Sequence, residues 1–310
     1  SNFIGWSGAV PISCGANLSC TITMDTAKNV TATFDLKPYN LGVVVTGSGS
    51  VKEPVGGGNI NCPSDCSEPY PPNTSIALTA SAIPDSGFIG WGGDAVSCGA
   101  NLSCTITMDN NKSVTAKFLT ANIKANGSDG PITIPYNTAA IVSWTSTNAN
   151  SCSVSPGGWT GLSGSQTGNL ISQTTYTLTC LGDNGSSLSD SVIVSVNQPP
   201  IVDAGGPYEV DEGNTINLSG ADASGPEAGD SLIYDWSCTG GSLLDSSILN
   251  PDYTAPSVSS DTNYTCALLV DDGINPLVDD LATITVKDVT IPPTPSNWWD
   301  LFRALWKEKK

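Results

Sequence analysis

The chain is predicted to be all-β, a tandem string of small β-domains ending in a short amphipathic helix. Three observations carry that expectation. The stretch Cys14–Asp25 (CGANLSCTITMD) returns unchanged as Cys98–Asp109, and a long internal repeat marks an array rather than one continuous globule. Short runs of alternating apolar and polar residues, rich in Thr and Val and broken by Gly, Asn and Pro, fill all but the last dozen residues, which is strand and turn chemistry. The ten Cys fall into five near pairs, 14/20, 62/66, 98/104, 152/180 and 238/266. Small domains with little core are stapled in this way in oxidising compartments.

Residues 1–38 read as the back half of one repeat and residues 39–120 as a complete one. Phe3-Ile-Gly-Trp6 matches Phe88-Ile-Gly-Trp91, and the run from Lys28 to Phe34 matches that from Lys112 to Phe118. In the complete copy, Ile76, Leu78 and Ala80 alternate on one face. Cys104, Ile106 and Met108 do the same, and so do Val114, Ala116 and Phe118. Period two of this kind predicts half-buried strands. Trp91 is expected to plug the small core rather than to serve as a sugar platform. The first copy opens inside a repeat, so the chain reads as a piece of a longer exported protein. Its apolar residues Ile22, Met24, Val30, Ala32 and Phe34 need cover, which a neighbouring chain could donate by strand addition.

Residues 121–198 read as a β-sandwich. Ala140, Val142 and Trp144 alternate, Tyr176, Leu178 and Cys180 share a face, and turn clusters such as Asn148-Ala-Asn150 recur at sandwich spacing. Gln198-Pro199-Pro200 is a stiff boundary. Residues 199–288 read as a second sandwich with the same 28-residue step between its cysteines. In both, the tryptophan (Trp144, Trp236) precedes the first cysteine. The bridge is therefore expected to tie the strand after the tryptophan to the tyrosine-bearing strand and not to cross between sheets. Residues 289–310 are expected to be a Pro linker and a short amphipathic helix. Trp298, Trp299, Leu301, Phe302, Leu305 and Trp306 form its apolar stripe, suited to a membrane surface, a partner protein or the array itself.

Cys62-x3-Cys66 together with Cys98-x5-Cys104 also resembles a four-thiolate zinc set. Cys14 and Cys20 persist without a CxxxC partner, which favours local disulfides: Cys14 with Cys20, Cys62 with Cys66, Cys98 with Cys104, Cys152 with Cys180 and Cys238 with Cys266. The net charge of −18 is uneven. Residues 199–288 carry sixteen acidic side chains and one basic one, against eight and five in residues 1–118. Nucleic acid is therefore not an expected partner. With no His in the chain, Ser-His-Asp and Cys-His arrangements and HExxH zinc sites are excluded. No cofactor is expected, with calcium as the single candidate ion, held by the loop carboxylates Asp222, Glu227, Asp230, Asp271 and Asp272. Trp159 is the candidate glycan-binding aromatic.

The GSGSV run, the Cys62/Cys66 turn, FIGW, CTITMD and KSVTAKF together resemble the divergent internalin-type B repeat of bacterial surface and secreted proteins. The resemblance covers roughly residues 1–120. It implies a small β-rich, β-grasp-like module used as a spacer or adhesion element, with no catalysis. The third unit resembles a bacterial immunoglobulin-like domain. The strings PPIVDAGGPYEVDEG, GDSLIYDW and YTCALLVDDG resemble PKD-type domains. The expected role is a non-catalytic, extracellular structural and adhesive stalk at a bacterial surface, with an unidentified protein or glycan as partner. The alternatives are an accessory region of a secreted hydrolase, or a filament subunit that self-associates through its first, open repeat.

Overall fold

A computed structural model describes residues 2–11, 13–54, 60–227 and 229–289. Among them the regular structure is almost entirely strand. Of the Pro linker and amphipathic helix expected over 289–310, residues 290–310 lie outside the described residues. By internal contacts the chain divides into two units. The first holds residues 1–132, 140–168 and 174–194, and the second holds 133–139, 169–173 and the chain from 195 onward.

The first unit begins with a strand pair, β1 (Asn2–Gly8) and β2 (Val30–Asp35), antiparallel from Asn2 opposite Asp35 to Gly8 opposite Val30. The complete repeat follows as β3 (Tyr39–Thr46), β4 (Gly49–Lys52), β5 (Asn61–Cys62), β6 (Ser67–Tyr70), β7 (Ser75–Ala82), β8 (Ser86–Gly93) and β9 (Ser103–Thr107). Its last strand, β10 (Lys112–Ala125), is 14 residues long. The strand β3 lies parallel to β10, and β8 lies antiparallel on β10's other edge. Parallel pairing needs a crossover. Here the crossover carries a second sheet, ordered β5-β4-β7-β9, where a β-grasp would carry a helix. Leu41, Val51, Leu78, Met108, Val114 and Phe118 fill the core between the two sheets.

The strand β10 does not stop at the end of the repeat. Its later residues, Thr120–Ala125, pair antiparallel with β12 (Thr138–Thr147). Around that pair stand β11 (Ile132–Pro135), β13 (Ala149–Ser155), β14 (Trp159–Thr160), β15 (Ser163–Leu170), β16 (Thr174–Gly182) and β17 (Ser187–Asn197). One sheet runs β15-β12-β10-β3-β6 and so is common to the repeat and the sandwich, and the other runs β11-β17-β16-β13-β14. The boundary expected between residues 120 and 121 thus falls inside one strand. Side chains alternate faces along a strand, and β10 uses both. Val114, Ala116 and Phe118 enter the repeat's core, while Leu119, Ala121, Ile123 and Ala125 are buried outside it, beside β12.

In the second unit, residues 201–287 form a sandwich with a core of its own. Its strands are β18 (Ile201–Asp203), β19 (Tyr208–Asp211), β20 (Thr215–Asn217), β21 (Asp222–Ser224), β22 (Ile233–Cys238), β23 (Ser242–Leu243), β24 (Asp252–Thr254), β25 (Thr262–Asp271) and β26 (Val278–Lys287). A four-stranded sheet, β19-β26-β25-β22, is accompanied by a three-stranded one, β20-β24-β23, and by the pair β18-β21. Leu218, Trp236, Tyr253, Leu268, Val270 and Ile284 are buried together. Trp236 donates its Nε1–H to the Leu249 carbonyl at 3.1 Å, which satisfies its one polar atom inside the core.

Candidate functional site

All five cysteine pairs are disulfides, paired as the spacing predicts, and no described cysteine is free. The zinc alternative therefore has no thiolates to use. Cys152 sits directly opposite Cys180 on neighbouring strands, and Cys238 sits opposite Cys266. Both bridges stay within one sheet and end on the strand that carries Tyr176 or Tyr264. Cys152 lies on the strand after Trp144, as expected, whereas Cys238 shares β22 with Trp236, because only one residue separates them.

The repeats carry their own aromatic site. Trp91 is 4% exposed, donates Nε1–H to the Asn101 carbonyl at 2.8 Å, and meets Phe88 edge-on. It is the core plug expected of it. Beside it a shallow cavity is lined by Ile89, Gly90, Val96 and Gly99, and by Asp183 and Asn184 from the turn after β16. The same cavity recurs by Trp6, lined by Ile4, Gly5, Gly15 and Ala16.

The joint between repeat and sandwich is built on Asn148, a residue whose role the sequence does not announce. It sits at φ +56° between β12 and β13, in the left-handed region that Asn tolerates better than most residues. Its side-chain amide donates to the Thr46 carbonyl (3.1 Å), the Thr46 hydroxyl (3.1 Å) and the Phe118 carbonyl (2.8 Å). The sandwich's turn thereby grips both strands of the repeat's parallel pair. Gly47 makes room for this, since a Cβ there would collide with the Phe118 carbonyl oxygen. Lys117 and Asp183 add an exposed ion pair at 3.7 Å, of little energetic weight. Asn148 lies in a cluster that reads as turn chemistry, and its spacing shows nothing of the long-range bonds.

Trp159, the aromatic proposed for ligand contact, is half-buried. Its ring lies parallel to those of Trp144 (6.0 Å between centroids) and Tyr176 (5.4 Å). Trp144 in turn donates Nε1–H to the Gly161 carbonyl at 3.0 Å. Trp159 is therefore one member of an aromatic stack and not a lone platform.

The acidic loop residues of the second unit are engaged largely with backbone. Asp272 Oδ1 accepts the amides of Ile274 (2.9 Å) and Asn275 (2.7 Å), and its Oδ2 accepts the Asn275 side chain (2.9 Å). Burial pushes the Asp272 carboxyl up, but these hydrogen bonds outweigh it and hold the group below the usual carboxylate value. Asp271 accepts Gly273 N–H at 2.7 Å. Asp230 accepts Glu227 N–H at 3.1 Å, and Glu227 Oε1 accepts Gln198 N–H at 3.1 Å. Asp222 stands in β21 opposite Asp203. Among the described residues no three acidic or Cys side chains converge as a metal would require. Buried Asn275 joins this loop to the rest of the unit. Its amide donates to the Asn197 carbonyl (3.1 Å), and its oxygen accepts the Tyr136 amide (2.9 Å).

Residues 40–122 match the family model described as divergent InlB B-repeat domain. A chitinase A of Pseudoalteromonas piscicida is 31% identical over 139 residues, covering 42% of this chain and 16% of its own length. The chain therefore spans a small part of that relative. Among solved structures, a DIP-gamma IG1+IG2 fragment overlays at a TM-score of 0.37 with 11% identity, covering 54% of this chain and 99% of its own. The fibronectin(III)-like modules of Clostridium thermocellum CbhA overlay at 0.25 with 13% identity, covering 56% and 99%. Five disulfides and the repeat match point to an extracellular or secreted protein.

Proposed function

We propose that this chain is a non-catalytic, disulfide-stapled section of a bacterial surface stalk, whose work is to space and present its neighbours. One observation carries the reading: β10 is a single strand that serves two modules, with a core on each of its faces. Such a joint has no linker to bend, and Asn148 fastens the next turn across it. Stiffness at a joint is a property a spacer needs and a lone binding module does not. The five bridges limit how far each module opens under load.

A second reading, an accessory region of a secreted polysaccharide hydrolase, is favoured by the chitinase match. Pull-down on insoluble chitin and cellulose separates the two. A spacer is expected to stay in the supernatant. Retention that is lost in Trp159→Ala, with the melting transition kept, would select the accessory region instead.

A further inference from the structure

Most sheet edges in this chain are guarded. The strand β6 carries Glu68 and Pro69, β11 ends on Pro135, and β5 and β14 are two residues long. The strand β19 carries Glu209 and Asp211. The strand β22 carries Asp235, and the Ser246 carbonyl takes the Trp236 amide at 3.0 Å. The strand β9 lies against the Val96–Cys98 turn, to which the Cys98–Cys104 bridge ties it. Charge, proline, short length and cover all keep an edge from pairing with another chain. The strand β2 offers an edge of another kind, since β3 fills the same edge of β10 in the complete repeat.

The strand β15 has none of these devices. Its eight residues, SGSQTGNL, include no charge and no proline, and six of them are exposed. None has a positive φ. It ends the sheet β15-β12-β10-β3-β6, and no strand lies beyond it among the described residues. Its inner side is well held. The Leu170 carbonyl accepts the Asn137 amide at 2.8 Å, beside the start of β12. Gly164 rests on the Trp144 ring, where a Cβ would collide. Peptide groups alternate sides along a strand. With Leu170 turned toward β12, the N–H and C=O groups of Ser163, Ser165, Thr167 and Asn169 turn outward.

We propose that β15 pairs with β15 of a second copy of this chain, antiparallel about a two-fold axis. Such an axis sets a strand against itself, so a charge near it meets its like. Asp235 of β22, or Glu209 and Asp211 of β19, would face themselves in this way. The strand β15 is free of that penalty, and copies of net charge −18 can approach through it with least repulsion. A strongly acidic or basic peptide would find no counter-charge there. With Gln166 on the axis, Ser165 lies opposite Thr167 of the second copy and Ser163 opposite Asn169. That register uses all four outward-facing residues. An edge of eight residues falls well short of the ~1,600 Å² of a stable interface, so free chains pair weakly. Chains held side by side pair more firmly, because tethering raises effective concentration. The inference goes beyond the spacer role and does not depend on it: two chains would share one continuous sheet.

The test is sedimentation of the full chain up to about 1 mM, at ~0.05 and ~0.5 M salt. A reversible dimer is expected at the top of that range, strengthened by salt because both copies are acidic. The double variant Ser165→Lys, Thr167→Lys sets lysine against lysine twice. It should keep the melting transition and weaken the dimer about tenfold. Mixed with the variant Ser165→Glu, Thr167→Glu, it should pair more tightly than either does alone. Gln166→Cys should cross-link to itself on mild oxidation, since opposite residues of a non-hydrogen-bonded pair stand about 4.5 Å apart at Cα. Leu277→Cys, exposed in the other unit, should not. A monomer throughout the range overturns the proposal, as does a dimer that the double lysine variant leaves unchanged or equal cross-linking of the two cysteine variants. A monomer whose β15 amides are protected by an added peptide of residues 163–170 would also overturn it, in favour of a strand from another protein.

Discussion

Asn148 and Asp272 carry more of this structure than their loop positions suggest. Each satisfies several backbone groups at once, and removal of either partner leaves those groups unpaired in poorly solvated places. Asn148→Gly keeps the left-handed backbone available and removes the three bonds to Thr46 and Phe118. It is expected to lower the stability of the first unit by about 1–3 kcal/mol, read from a chemical melt. Asp272 gives a pH signature. Its folded pKa lies below the ordinary value because the bonds from Asn275 and Ile274 outweigh burial. A carboxyl depressed on folding contributes stability above its unfolded pKa, about 3.9, and loses it as the pH falls through the folded value. The gap in stability between the wild-type chain and Asp272→Asn should therefore be constant from pH 8 to 5 and shrink below about pH 4. A gap that closes near neutral pH instead would mean another group is responsible.

The repeat element offers an internal control. Phe118 and Phe34 hold the same place in two copies, yet one is fully buried and the other 58% exposed. Phe118→Ala should cost about 3–5 kcal/mol, as large core truncations do. Phe34→Ala in the isolated chain should stay within about 0.5 kcal/mol, as exposed changes do. Equal losses would mean that residues 1–35 are covered in solution. The shared strand makes a sharper prediction. Because faces alternate along β10, one residue inserted after Phe118 would turn Leu119, Ala121, Ile123 and Ala125 away from their core. Two residues inserted there restore the facing. The single insertion should abolish the cooperative melt of the sandwich around Trp144, and the double insertion should damage it less, with near-ultraviolet circular dichroism as the readout.

For the whole molecule, the proposed role as a stalk is a statement about extension. The bridges differ in reach. Cys152–Cys180 and Cys238–Cys266 each span 28 residues, against 6 or 4 for the other three. Loop-entropy arithmetic makes each long bridge worth about 3.5 kcal/mol and each short one about 2 kcal/mol. Pulled end to end, each sandwich should lengthen by roughly 100 Å less when oxidised than when reduced, the contour length of the enclosed loop. Single-molecule force spectroscopy with and without reductant reads that difference directly. Identical extensions would remove the mechanical role of the long bridges.

Much of this was legible without coordinates. The exact repeat, the alternation along β7, β9 and β10, the five cysteine partners and the interior place of Trp91 all rest on properties of near neighbours: period, spacing and residue chemistry. The sequence also placed bare apolar residues on the first half repeat, because a strand pattern shows which face needs cover. Only the tertiary structure decided that β10 continues from one module into the next, that Asn148 reaches back 102 residues to Thr46, and that Trp159 stacks on Trp144 and Tyr176. Those outcomes depend on which distant edges meet. Edge pairing is chosen by the shapes of whole sheets and not by any window of the chain, since every strand offers the same hydrogen-bonding groups along its edge.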